Sequence, residues 1–159
     1  MQTHPVEIKV KILEQKLYLI SDNKVIKDYS ISTSKYGIGN KSGSNKTPLG
    51  LHRIASKIGR NACFGAIFKR RRNTGKIARV NKGRGDLITT RILRLEGLQR
   101  GINKSKDIDS FRRCIYIHGT PEEKLIGKPA SHGCIRMKNR DIIRLYNLVK
   151  RGALVEIRK

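Results

Sequence analysis

Ser131-His132-Gly133-Cys134 sets a thiol beside an imidazole, and a second imidazole, His118, closes the apolar-alternating run Cys114-Ile115-Tyr116-Ile117-His118. A cysteine attacks a carbonyl as thiolate, and a histidine within reach generates the thiolate by taking its proton. Gly133 lets the backbone approach a substrate closely. Backbone N–H groups around Gly133 and Cys134 are expected to stabilise the oxyanion of an acyl-transfer intermediate. A buried, inert thiol is the alternative for any cysteine, but a setting of Ser, His, Gly and Arg is poorly suited to core packing. Cys63 and Cys114 are read as inert packing residues, and His4 and His52 as packing or surface residues. Zinc on Cys114, His118, His132 and Cys134 is disfavoured, because Cys114 and His118 on one extended strand lie about 13 Å apart at ~3.3 Å per residue. No metal or other cofactor is expected.

The elements around these residues are mostly strands. Val6, Ile8, Val10 and Ile12 alternate with Glu7, Lys9 and Lys11, the period of a half-buried strand. Residues 17–20 and 25–31 flank the turn-forming Ser21-Asp22-Asn23-Lys24 and read as a hairpin. A Gly/Ser/Asn-rich loop spans 33–47, followed by the turn Thr47-Pro48-Leu49-Gly50 and a short strand. Residues 70–86 carry glycines and cations and read as a surface excursion, 87–95 as a strand, and 97–113 as a second polar loop leading to the strand that ends at His118. Loops held by a rigid sheet commonly carry binding residues. Along that last strand Cys114, Tyr116 and His118 share one face while Ile115 and Ile117 pack on the other. His118 is thereby fixed at a strand exit, which makes it the better candidate for the base. One helix is expected, with Asn139 as N-cap, Asp141 in the first turn, an apolar face of Ile142, Leu145, Tyr146 and Val149, and Gly152 as its end. Residues 154–157 close the chain as a strand. The fold class is mainly β, a sandwich or barrel-like sheet pair with one helix after the Cys134 motif.

A chain of 159 residues is read as a single domain, 1–159, large enough to bury a core without disulfides. Three cysteines without C-x-x-C spacing argue for free thiols. The net charge of +24 predicts anionic partners. Residues 69–113 alone hold fifteen Lys/Arg against Asp86, Glu96, Asp107 and Asp109, which reads either as a solvated basic surface or as an electropositive approach to an acidic substrate. A nucleic-acid or polyanion-binding protein is the competing class. No recognised nucleic-acid motif supports it, and five Tyr, three Phe and no Trp offer few stacking platforms. Charges at Glu7, Lys9, Lys11, Glu14 and Lys16 break up the start of the chain, so no signal peptide or membrane span is expected. The cytoplasm is the expected location, with the periplasm or cell wall as the alternative if a leader was trimmed.

The histidine followed downstream by Ser-His-Gly-Cys, the Thr47-Pro48-Leu49-Gly50 turn and the opening hairpin resemble the L,D-transpeptidase catalytic domain of YkuD type over nearly the whole chain. The resemblance implies Cys134 as nucleophile and His118 as general base, oriented by a backbone carbonyl rather than a carboxylate. It also implies that His132 and Gly133 shape the site and its oxyanion hole, and that Ser131 holds the loop. Close in sequence to the motif, only Asp141 is acidic. Arg136 stands where the family often has asparagine, and is read as a receptor for a substrate carboxylate or, alternatively, as a structural ion pair. Tyr116, Gly119, Thr120, Ser131 and Arg136 are the expected substrate-binding positions. The implied substrate is a peptidoglycan stem tetrapeptide or a muropeptide carrying it. Cys134 would expel D-alanine, and the acyl-enzyme would pass to water, as in an L,D-carboxypeptidase of muropeptide recycling, or to an amine of a second stem, as in a wall-crosslinking transpeptidase. The runs 86–97 and 115–120 resemble short leaderless members with carboxypeptidase activity, so hydrolysis is the favoured outcome.

Overall fold

The computed structural model describes residues 5–83 and 85–159; His4 and Arg84 lie outside them. The described residues form ten strands, most of them with alternating apolar residues: β1 (Val6–Lys11), β2 (Lys16–Ser21), β3 (Lys24–Ser32), β4 (Gly50–Ile58), β5 (Ala66–Lys69), β6 (Arg72–Ile77), β7 (Ile88–Gly97), β8 (Tyr116–Thr120), β9 (Ile135–Lys138) and β10 (Leu154–Arg158). One helix, α1 (Asn139–Leu148), follows β9 directly. The strands are ordered β4-β10-β1-β2-β3-β9-β8-β7-β5-β6, and a further β4–β7 pairing closes eight of them into a ring. The β5–β6 hairpin hangs outside this ring on β7. Closure leaves no open edge among the eight strands and encloses Ile8, Val10, Leu17, Leu19, Ile31, Leu93, Leu95, Ile117, Ile135 and Met137 in one core. Ile142, Leu145, Tyr146 and Val149 of the helix segment join that core.

Two sequence expectations at the helix need correction. Asn139 is the first helical residue and not its cap; Lys138 is. The Asn139 side chain is buried and turned onto the sheet, where Oδ1 accepts from Thr89 (2.6 Å) and Thr90 (2.5 Å) and Nδ2 donates to the Thr120 carbonyl (2.9 Å). The helix also stops at Leu148, before Gly152. Lys57 Nζ satisfies the freed carbonyls of Tyr146 and Val149, each at 2.6 Å, which is the cationic termination a helix C-terminus favours. Gly152, at φ 90°, turns the chain into β10 instead. In the basic excursion, 72–77 forms a strand rather than a loop, with every residue exposed.

Candidate active site

The site follows from one topological fact: β8 and β9 pair in parallel, inside a sheet that is otherwise antiparallel except for β1 with β10. A parallel pair cannot be joined by a tight turn and requires a long crossover. Residues 121–134 are that crossover, and its last residue is Cys134. The register pairs Ile117 with Ile135 and His118 with Arg136. Ile117 and Ile135 point into the core, so alternation puts Tyr116, His118, Cys134 and Arg136 together on the opposite face. From strand spacing and rise, the Cα atoms of Cys134 and His118 are about 8 Å apart along a diagonal, within reach of two inclined side chains.

Cys134 is partly buried. Its Sγ accepts the Tyr116 N–H at 3.3 Å and donates toward the Cys114 carbonyl at 3.4 Å. Burial pushes the thiol up to about 12, against the pull of the Tyr116 N–H, so the sulfur rests protonated. His118 is 1% exposed. Its Nδ1 lies 2.7 Å from the Gly119 carbonyl, which can only accept, so Nδ1 carries the proton and Nε2 keeps the lone pair. Burial lowers its basicity further than the Gly119 carbonyl and Asp86 restore it, and a neutral imidazole rests opposite a neutral thiol.

The Cys134 loop is held by its own hydroxyls and by the loop after β3. Ser131 Oγ donates to the Cys134 carbonyl (2.6 Å) and accepts from the Gly133 N–H (3.2 Å). Thr47, fully buried, donates to the Gly133 carbonyl at 3.0 Å and accepts the Ser34 N–H at 3.0 Å. The Thr-Pro-x-Gly turn is therefore an arm of the active site. Gly133 sits at φ 124°, open to glycine and strained for other residues. Its N–H lies 3.2 Å from Ser131 Oγ.

His132 and Arg136 meet a carboxylate that sequence proximity did not reveal. Asp86 Oδ2 accepts from His132 Nδ1 at 2.9 Å, and Oδ1 accepts from Arg136 Nη2 at 2.6 Å and Nε at 3.1 Å. Glu122 takes Arg136 Nη1 at 3.0 Å. Burial resists ionisation of Asp86, but Arg136, His118 and His132 outweigh it and hold the carboxyl below its ordinary range. The signal was present: between Lys69 and Leu95 Asp86 is the one acid among many cations.

The five expected substrate-binding positions are buried or engaged by other parts of the protein. Arg136 is 2% exposed, with its guanidinium paired to Asp86 and Glu122. Thr120 and Ser131 are fully buried, and the Tyr116 hydroxyl oxygen accepts from Arg71 Nη1 at 2.9 Å. Gly119 is required by packing, since a Cβ there would stand 2.5 Å from the Thr89 carbonyl. His52 is the packing residue it was read as, between the Gly50 carbonyl and Ser110. Cys63, expected to be buried, is exposed.

Residues 5–157 match the YkuD family, described as the L,D-transpeptidase catalytic domain. The chain belongs to this family. A 41-residue stretch is 51% identical to the provisionally named L,D-transpeptidase YkuD of Bacillus licheniformis, covering 26% of this chain and 25% of that protein. Among solved structures, an L,D-transpeptidase from Mycobacterium smegmatis superposes with TM-score 0.60 at 16% identity, over 98% of this chain and 59% of that one. L,D-transpeptidase 3 from Mycobacterium tuberculosis, in complex with a faropenem-derived adduct, gives 0.61 at 17% identity, over 98% and 61%. At such identities the likeness is one of fold. The chain spans about three fifths of these structures.

Proposed function

We propose that this chain is a cysteine-dependent peptidoglycan enzyme that cleaves the bond between the L-centre of the third residue and the D-alanine of a stem tetrapeptide. The observation that supports this most directly is the shared face of Cys134 and His118, with the His118 Nδ1–H on the Gly119 carbonyl at 2.7 Å and the Tyr116 N–H on the sulfur at 3.3 Å. A carbonyl-oriented imidazole presents Nε2 as the base. As the substrate excludes water, the proton moves from Sγ to Nε2, the thiolate attacks, and the Tyr116 N–H already stands where sulfur develops charge. The proton on Nε2 then goes to the leaving amine of D-alanine. His132, tethered by Asp86, forms the exposed wall of the site, and the Cys134 N–H is the donor left to meet the oxyanion.

For the second half-reaction we propose water as acceptor, giving a tripeptide, a reaction suited to recycled muropeptides in the cytoplasm. The reading is supported by the likeness of residues 86–97 and 115–120 to carboxypeptidase members. Transfer to an amine is the second reading, favoured by the transpeptidase names of the proteins this chain resembles. Purified protein incubated with a disaccharide tetrapeptide, with and without a second stem, decides by product mass. A tripeptide plus D-alanine supports hydrolysis, and a crosslinked dimer supports transfer. Neither product, with Cys134→Ala indistinguishable from wild type, removes the enzymatic reading.

A further inference from the structure

Beyond the nucleophile and its base, the site face holds a second thiol. Cys114 and Cys134 both pack against the same small cluster of Ala66, Phe68, Ile92 and Tyr116, outside the main core. The Cys134 sulfur lies 3.4 Å from the Cys114 carbonyl oxygen. Bond lengths on either side of that contact bound the two Cα atoms at about 9 Å or less, and a disulfide needs about 7 Å, so closing the bond draws Cys114 toward Cys134 by a shift of the backbone before β8. Cys114 precedes β8 and holds φ 56°, a left-handed conformation uncommon outside glycine, with its N–H on the Phe111 carbonyl at 3.2 Å. Reorienting it therefore breaks no ladder bond of the strand. Its thiol is partly exposed, with Arg71 Nη1 at 3.8 Å and the Arg112 carbonyl at 3.6 Å. The two thiols differ in access: Cys114 meets solvent and a cation, whereas Cys134 is the more enclosed, protonated thiol.

We propose that Cys114 is the redox partner of Cys134: a hydroperoxide oxidises Cys114, and Cys134 closes a Cys114–Cys134 disulfide that a thiol reductant reopens. In the first step the Cys114 thiolate attacks a peroxide oxygen, the O–O bond breaks, and the alcohol (water, from hydrogen peroxide) leaves after protonation. Cys114 is then a sulfenic acid. In the second step Cys134 gives its proton to His118 and attacks the Cys114 sulfur. The S–O bond breaks, and hydroxide takes up the proton and leaves as water. Two thiols lose two electrons and two protons, and the hydroperoxide is reduced to alcohol and water. The loss of activity this causes rests on Cys134 being the nucleophile; the disulfide itself does not.

The test uses the full chain carrying Cys63→Ser, which removes pairing through the exposed thiol. After hydrogen peroxide or cumene hydroperoxide and alkylation under denaturing conditions, the expected product has both thiols blocked to alkylation and a mass about 2 Da below the reduced chain. Trypsin, cutting after Arg113, Lys124 and Arg136, then yields peptides 114–124 and 125–136 joined by a reducible link. Dithiothreitol restores both thiols and the covalent labelling of Cys134 by faropenem. Adding Cys114→Ser, or Cys114→Ala should the serine variant fold poorly, abolishes the link and the reversible loss of labelling. Absence of the 114–124/125–136 link in the Cys63→Ser chain, or equal reversible protection in the Cys114 variants, overturns the proposal. If the link forms but faropenem never labels Cys134 in the reduced chain, the redox pair stands and the nucleophile assignment fails.

Discussion

Replacing Asp86 by asparagine tests whether one acid of the basic excursion organises the active-site wall. The change keeps Oδ1, which receives Arg136 Nη2 at 2.6 Å and Nε at 3.1 Å, but removes the charge and turns Oδ2, 2.9 Å from His132 Nδ1, into an amide that cannot accept. The Arg136 bonds lose their anionic acceptor, and buried Arg136 is left with Glu122 as its only carboxylate among the described residues. The Asp86 side chain is 35% exposed, so the cost is that of a screened site: about 1–2 kcal/mol at neutral pH, or ~2–6 °C in Tm for a chain of this size. The pH dependence has a definite sign. Asp86 ionises more easily folded than unfolded, so its contribution is complete above the unfolded carboxyl value of ~3.9 and is lost as pH falls through the lower folded value. Thermal melts of Asp86→Asn and wild type, recorded from pH 7 down to pH 3, should therefore converge toward the acid end. A gap that stays constant over that range, or no gap at pH 7, refutes the assignment of Asp86 as an ionised partner of Arg136 and His132.

The pH profile of faropenem acylation should show an acid limb centred below the ordinary imidazole value, because burial lowers His118, and no thiol limb until about 12; a limb above 7 would mean that another group is the base. Asp86→Asn should move that acid limb lower still, since Asp86 favours the protonated His118. Thr47→Val removes the donor to the Gly133 carbonyl and the acceptor of the Ser34 N–H, and should cost about 1–3 kcal/mol in urea unfolding while slowing acylation; an unchanged acylation rate would show that the Thr47 arm does not position Cys134. His52, pushed to about 4 by burial, stays neutral folded but protonates unfolded, so stability should fall by about 3 kcal/mol between pH 7 and pH 4, and calorimetry of His52→Asn should show a shallower slope over that interval.

The strands were legible because their side chains alternate: Val6 to Ile12 and Ile115 to Ile117 gave the buried faces correctly, and the face shared by Tyr116 and His118 came from period two alone. Cys134 and His118 stood out as candidates because glycine and polar neighbours are costly in a core, and the register of β8 and β9 brings the two to one face. What escaped was everything that depends on register between distant segments. Asp86 and Arg136 are brought together by β7, β8 and β9 lying side by side, which no local pattern encodes. The inward turn of Asn139 escaped for the same reason: a strong capping residue found better acceptors and donors on Thr89, Thr90 and Thr120 than at its own helix end. Exposed β6 has no apolar alternation to announce it, and is held to β5 by backbone pairing and by Thr74 Oγ1 donating to the Ile67 carbonyl at 2.9 Å.

The pairing that closes the ring also dictates when the barrel around the site can close. β1 has its parallel partner in β10, and β10 in turn bridges to β4, so the earliest strand of the chain waits for a very late one. Ring closure cannot precede synthesis of residue 158, and loop closure over such separations makes folding slow compared with a chain of local contacts. Until then the sheet that carries β8 and β9 runs open from β1 to β4. A nascent chain thus holds the β8–β9 face in an open sheet, and the closed barrel around that face is the last part of the fold to form.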